Sequence, residues 1–444
     1  MYKGKVAVIL YDEKGNEVHR QENHNLVTNA TADMIKMIGG GSGSSSNLMN
    51  SVMPIAEKAL GGLVLFDDTL TENANKYDIP TSSKVVACAG RNQDSTNARA
   101  GSLNQSETTK IQGGYQTVWD FNTSQANSSI ASLGLTSDYA GDNIFDAFCG
   151  ENFTLKSAST SSNPIKDSSG QILNPNNIFP LKYDKATQIF YFLLNKGYQG
   201  SLYIYSVCYA RVPLFEYEVA DSFVEIGTAY ETSTVLGLEQ ALDYTCGSVD
   251  VKGGYAYIPY AMNWTVTSVK FLKINLSDFT YSDTAQITIA IADGNYKRLI
   301  VADGYLYSMI DGEVNRVNIA DTSITYKYEL KDGSSNLVTP SVHGFVQNSE
   351  GLVMAVMISY QNGYKNYALY RDVANTVVAI KNTSASKIFT TQPVVNGMVV
   401  MYVESSVLKF AVKRDYLGTI FNLQTPVNKT QATSMKVVYT LTNV

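Results

Sequence analysis

Aspartates, glutamates and tyrosines recur along this chain at spacings that invite a chemical reading. Asp221, Asp278, Asp321, Asp372 and Asp415 follow one another at steps of 57, 43, 51 and 43 residues by subtraction, each in the turn after a strand-like run. An aspartate so placed caps its own backbone two residues on, which is turn chemistry and not metal or acid–base chemistry. Glu216, Glu218 and Glu225 exemplify acids that a glycosidase would use, because that reaction needs only two carboxyls at the right separation. Solvated acids at a strand edge are the plainer account of them. Cys88, Cys149, Cys208 and Cys246 form no Cys-x-x-Cys pair, and only His19, His24 and His343 are at hand to help them hold zinc. The chain has no Gly-x-Ser-x-Gly, no His-Glu-x-x-His and no Walker lysine motif. No sialidase-type Ser-x-Asp-x-Gly-x-x-Trp turn is present, the tryptophans being Trp119 and Trp264. No catalytic, metal-ligating or cofactor-binding residue is therefore assigned, and the expectation is a protein that is not an enzyme.

Binding chemistry has better candidates. Two long connections, 259–268 and 359–366, hold Tyr260, Asn263, Trp264, Tyr360, Asn362 and Tyr364. Aromatic rings beside amides suit the flat face and hydroxyl rim of a sugar, and they suit protein interfaces too. The plainer account is that these rings cover strand edges.

The elements that position them come from a repeat. Gly200, Gly254, Gly304, Gly351 and Gly397 follow at steps of 54, 50, 47 and 46 residues by subtraction. Each opens an apolar strand such as Tyr-Leu-Tyr-Ser-Met or Met-Val-Val-Met-Tyr-Val, and each sits in a turn where glycine accepts positive φ. A third strand ends at the module's aspartate, and a threonine-rich fourth begins at Thr325, Thr376 and Thr419, each four residues on. Repeats of about 40 to 50 residues with four strands read as propeller blades. The expected fold class is all-β, with a propeller of about five blades over residues 181–424 after a linker at 151–180. The longer first steps and the helix-compatible stretch from Ser233 to Tyr244 leave room for a sixth blade.

Residues 1–150 lack the repeat. Strands Lys5 to Tyr11, Leu63 to Phe66, Lys84 to Ala89 and Tyr115 to Phe121, with a short amphipathic helix at about 31–38 ending at Gly39, predict a β-sandwich-like attachment domain. The tract from Gly39 to Ser46 has the composition of a flexible loop. The alternating strand Met435 to Thr442 falls after the last module, so residues 425–444 are expected to complete the sandwich.

Charged residues make up only 17% of the chain and its net charge is -6, so no basic face is offered to nucleic acid or anionic lipid. The apolar stretch Val6 to Tyr11 is too short for a signal peptide or membrane span. Four isolated thiols fit assembly in a reducing cytoplasm.

Several segments carry a resemblance: Asn25-Leu-Val-Thr-Asn29 before the helix, Leu63-Val-Leu-Phe-Asp-Asp68, Gly114-Tyr-Gln-Thr-Val-Trp-Asp-Phe-Asn-Thr-Ser-Gln-Ala-Asn127, and the ending from Lys429 to Tyr439. They resemble virion structural proteins of tailed bacteriophages, especially those of Gram-positive hosts. That resemblance implies a tail, collar or fibre protein whose first module attaches to other virion proteins. It also implies a symmetric homo-oligomer made in the host cytoplasm and released by lysis. The propeller would then face a host-surface glycan or protein, or a neighbouring subunit. The alternative is a propeller-based depolymerase acting on host polysaccharide.

Overall fold

The structure, a computed structural model, describes residues 2–39, 59–91, 96–112, 114–145, 153–215, 226–260, 268–289, 299–310, 312–331, 335–338, 342–359, 363–381 and 392–443. It is all-β, 6% helical, with a closed nine-stranded barrel and a five-bladed propeller-like ring. One compact unit comprises Met1–Gly39, Ser44–Gly150 and Lys413–Val444, the other mainly Glu151–Val412. The all-β class and the five blades read from the sequence are what the chain adopts.

The first segment supplies β1 (Tyr2–Tyr11), β2 (Glu17–Val27), β3 (Gly62–Phe66), β4 (Val85–Gly90), β5 (Ala100–Leu103), β6 (Thr109–Ile111), β7 (Gly114–Phe121) and β8 (Ser129–Thr136). Helix α1 (Asn29–Gly39) follows β2, and a short helix α2 (Asp138–Asp142) follows β8. Period-two alternation sends Val6, Val8 and Leu10 of β1, and Trp119 and Phe121 of β7, into one core.

The propeller begins with β9 (Phe153–Ala158). Blade one is β10 (Ile178–Asp184), β11 (Ile189–Gln199), β12 (Leu202–Arg211) and β13 (Tyr230–Leu238). Blade two opens with β14 (Ser248–Asp250) and β15 (Tyr255–Pro259). After the two-residue strand β16 (Ser268–Val269) it continues with β17 (Phe271–Asn275) and β18 (Tyr281–Asp283), and β19 (Ile287–Thr288) pairs back on β16. Blade three is β20 (Ile300–Ala302), β21 (Tyr305–Ile310), β22 (Glu313–Asn318) and β23 (Thr325–Glu329). Blade four is β24 (Val342–Gln347), β25 (Val353–Ser359), β26 (Gly363–Leu369) and β27 (Val377–Lys381). Blade five takes β28 (Val394–Asn396), β29 (Val399–Glu404) and β30 (Val407–Val412), and its outer place is filled by β9.

Four details depart from the sequence reading. Residues 151–180, read as a linker, contain β9 and the start of β10, so they are part of the ring. In blade one the frame moves by one strand, and Gly200 separates the second and third strands instead of the first and second. The first hairpin there spans Asp184 to Ile189, the same four-residue loop as Asp250 to Tyr255 in blade two. Its last turn residue is Gln188 at φ 55, where blade two has Gly254 at φ 77, so a search for glycines passes over it. The stretch from Ser233 is strand, part of β13, and adds no sixth blade. Finally, Thr419 does not open a fourth strand of blade five. It opens β31 (Thr419–Asn428), which together with β32 (Ser434–Asn443) belongs to the barrel.

The barrel runs β1, β2, β31, β8, β3, β4, β5, β7, β32 and back to β1. Strand β32 is paired along its length with β1, from Tyr2↔Asn443 to Tyr11↔Ser434, and with β7, from Met435↔Phe121 to Thr442↔Gly114. The sheets of the expected sandwich are thus one sheet closed on itself, which removes edges that would otherwise be left unpaired. Close approach is needed where α2 crosses the sheet. A Cβ on Gly141 would lie 2.4 Å from the Cα of Gly62 and 2.5 Å from the carbonyl oxygen of Ala89.

Candidate functional site

Of the six residues expected to bind, Tyr260 is the one whose side chain is described. It follows β15, and its amide donates to the Lys270 carbonyl at 3.1 Å. Its hydroxyl donates to Asp283 Oδ1 at 2.5 Å, and the Lys270 ammonium pairs with Asp283 Oδ2 and lies 5.4 Å from the Tyr260 ring centre. Burial works against the Asp283 carboxylate, but hydrogen bonds from Lys270 and Tyr260 outweigh it and hold that carboxyl below its usual range. Burial, then its hydrogen bond to Asp283 and that group's charge, push the Tyr260 hydroxyl up. Each group is satisfied by the others, so this corner of blade two is a polar platform under one aromatic ring, without an activated nucleophile.

Asn263, Trp264, Tyr360 and Asn362 lie outside the described residues. Tyr364 belongs to β26 and pairs with Ile358. The 359–366 loop is therefore corrected: Ser359 pairs with Gly363, because β25 and β26 extend further than their composition suggested.

Other tyrosines are more exposed, and the sequence reading did not single them out. Tyr198, Tyr230, Tyr281 and Tyr326 are exposed by 61%, 49%, 47% and 40%. The last three stand on the outer strands of blades one, two and three. Tyr198 meets Tyr203 edge-on at 5.0 Å, and Tyr230 lies 5.8 Å from Tyr209. The buried Arg316 guanidinium lies 4.2 Å from the Tyr326 ring centre while donating to the Tyr328 hydroxyl at 2.5 Å and to Asn375 Oδ1 at 3.2 Å. Such cation–π support holds an exposed ring in place. A usable signal existed: Tyr281 and Tyr326 follow closely on the turn aspartates Asp278 and Asp321.

Asp278 and Asp321 cap the backbone two residues on, as expected, Asp372 caps it four residues on, and Asp221 lies outside the described residues. Asp278 Oδ1 accepts from the Thr280 amide and hydroxyl, Asp321 Oδ1 from those of Ser323, and Asp372 from those of Thr376. Between blades, Asp303 accepts from Lys252 of blade two at 2.9 Å and from Arg371 of blade four at 2.7 Å. Gln347 Nε2 donates to the carbonyls of Val249 at 2.7 Å and Val301 at 2.9 Å, tying three inner strands. The ring closes with the Tyr183 amide donating to Asn396 Oδ1 at 3.1 Å. These polar ties join strands of neighbouring blades.

Asp415 breaks the pattern of its module. It is buried in the barrel unit with Lys413 and Asp78; the Lys413 ammonium pairs with Asp78 Oδ1 and lies 3.5 Å from Asp415 Oδ2. Burial pushes the Asp415 carboxyl up to about 6 against the pull of Lys413, and burial draws the Lys413 ammonium down. Cys88, Cys208 and Cys246 are buried and in no disulfide. Burial raises the Cys88 thiol to about 11 and the Cys208 thiol to about 12, so neither is a thiolate near neutrality. Among the described residues no helix is long and apolar enough to cross a membrane, and no three His, Cys, Asp or Glu side chains converge on a metal position.

No described protein family matches the chain, and no curated protein matches it with significance. Solved structures similar to it include TolB from Acinetobacter baumannii, at 12% identity and a TM-score of 0.31, covering 74% of this chain and 80% of that one. A candidate 6-phosphogluconolactonase from Bacteroides uniformis is similar at 11% identity and 0.28, covering 84% and 98%. Another from Bacteroides fragilis is similar at 11% and 0.28, covering 85% and 97%. At these scores the likeness carries no statement about function, and the propeller rests on the chain's own strand pairing.

Proposed function

We propose that this protein is a non-enzymatic virion structural protein of a tailed phage, part of its tail, collar or fibre apparatus. In this reading the barrel attaches to other virion proteins and the propeller is presented to the host surface or a neighbouring subunit. The carrying observation is an exposed tyrosine on the outer strand of each of three consecutive blades, Tyr230, Tyr281 and Tyr326, a residue type enriched at binding surfaces and costing little rotamer entropy on binding. The chain order supports it as well: the barrel is built from both ends of the chain, and the propeller is inserted as a complete ring. The resemblance of residues 1–150 and the last thirty to phage virion proteins supplies the setting. Copies arranged symmetrically in a particle would multiply modest individual affinities.

Full-length protein incubated with host cells and with purified host wall polysaccharide tests this. The expected result is retention on cells with no oligosaccharide released. Catalytic release would replace the reading with a depolymerase.

A further inference from the structure

The barrel unit carries a cleft of about 420 Å³ near the β1–β2 turn, the β7–β8 turn and the start of β32. That volume lies within the roughly 300–1,000 Å³ typical of small-molecule sites. Its lining follows from strand register. Ser102 of β5 lies opposite Asp120 of β7, Asp120 opposite Lys436 of β32, and Ser434 opposite Tyr11 of β1. By alternation with the core residues Leu10, Leu103, Phe121 and Met435, the side chains of Tyr11, Ser102, Asp120, Ser434 and Lys436 stand on the other face of the sheet, and Phe121, Met435 and Gln125 complete the lining.

The charges decide what the cleft suits. The Lys436 ammonium pairs with Glu107 and lies opposite Asp120; burial draws it down, but Glu107 and Asp120 outweigh this and keep it protonated. The lining itself holds one carboxylate, Asp120, and one ammonium, Lys436, whose charge is already met by Glu107 beside the cleft, so the site offers phosphate, uronate and other anions no excess positive charge. Asp120 Oδ2 accepts from Asn104 at 2.7 Å, and its second oxygen makes no hydrogen bond among the described residues. A half-buried tyrosine ring beside a carboxylate oxygen, a serine hydroxyl and the exposed Asn122 amide matches a ligand with one apolar face and a rim of hydroxyls.

We infer that this cleft binds a neutral saccharide unit, its ring face on Tyr11 and its hydroxyls donating to Asp120. The site lies wholly within the barrel unit and is independent of the surface assigned to the propeller. Calorimetric titration of the full-length protein with glucose, galactose and N-acetylglucosamine, and with glucuronate and glucose 6-phosphate as anionic probes, tests it. At least one neutral sugar should bind saturably with a Kd on the order of millimolar. Tyr11→Ala and Asp120→Asn should each weaken it about tenfold, the loss of one stacked face or one charge-assisted hydrogen bond. Ser434→Trp, which fills the cleft without removing a barrel contact, should abolish binding, and Tyr260→Ala should leave it unchanged. Unaltered thermal unfolding checks that each variant is folded. Absence of binding by all three neutral sugars, binding that survives all three cleft variants, or tighter binding of the anionic sugars would overturn the inference.

Discussion

Replacing Asp415 with asparagine should change the pH dependence of barrel stability in a defined direction. In the folded protein burial raises this carboxyl from 3.8 to about 6, with Lys413 opposing. A raised folded value means the folded state holds the proton more tightly than the unfolded chain does. The group's contribution to stability is therefore fully present below about pH 4 and is lost as pH rises through about 6. At 1.36 kcal/mol per pH unit of displacement, the loss is about 3 kcal/mol. Asp415 is 3% exposed, so solvent does not screen this effect away. Asp415→Asn removes the titration and leaves Lys413 paired with Asp78. Other carboxyls are common to both proteins and cancel in the comparison. Urea unfolding at pH 4, 5, 6 and 7.5, in a Trp264→Phe background that leaves Trp119 in the barrel core as the fluorescence reporter, measures it. The stability difference, variant minus parent, should be about 3 kcal/mol more favourable to the variant at pH 7.5 than at pH 4. A change below about 1 kcal/mol, or one of opposite sign, would refute the assignment of a buried, proton-holding Asp415.

Lys413→Met should be the mirror case, costing about 3–5 kcal/mol at pH 7.5 because two buried carboxyls lose their cation; the same urea titration reads it, and acid should recover part of the loss. Deleting residues 434–444 removes β32, along with Met435, Val437 and Tyr439 from the core, and leaves β1 and β7 unpaired on that side. Limited proteolysis should then cut within residues 1–150, whereas unchanged resistance there would contradict the barrel closure. Gly141→Ala should cost about 1–3 kcal/mol in thermal or urea unfolding, because the new methyl meets backbone of β3 and β4 instead of flexible side chains. Arg371→Met should lower propeller stability by about 1–3 kcal/mol in chemical denaturation, as Asp303 keeps only Lys252.

Local conformation was legible where a residue type is demanded by it. Gly254, Gly304, Gly351 and Gly397 take positive φ in hairpins, and Asp278, Asp321 and Asp372 cap turns, so the repeat announced the blades. The frame of blade one was hidden because Gln188 tolerates a positive φ that elsewhere falls to glycine. Closure of the barrel depends on pairing between residues 2–11 and 434–443, and the alternation of each strand says nothing about its partner. Asp415 looked like another turn aspartate, since its burial with Asp78 comes from a contact more than three hundred residues distant in sequence. Tyr260 was legible as an aromatic next to a long loop, whereas Tyr364 was placed in a loop because its strand is polar and short of β-branched residues. The outer-strand tyrosines were overlooked because exposure depends on a strand's place in the blade, which only the pairing order reveals.

The proposed role as an attachment component of a phage particle requires a tailed phage whose genome carries this coding sequence, and it is tested most directly by electron cryomicroscopy of purified virions of such a phage. The account predicts density for the nine-stranded barrel seated against other virion proteins, in symmetric copies at the tail, collar or fibre. Particles that lack this density and contain none of the chain would contradict it.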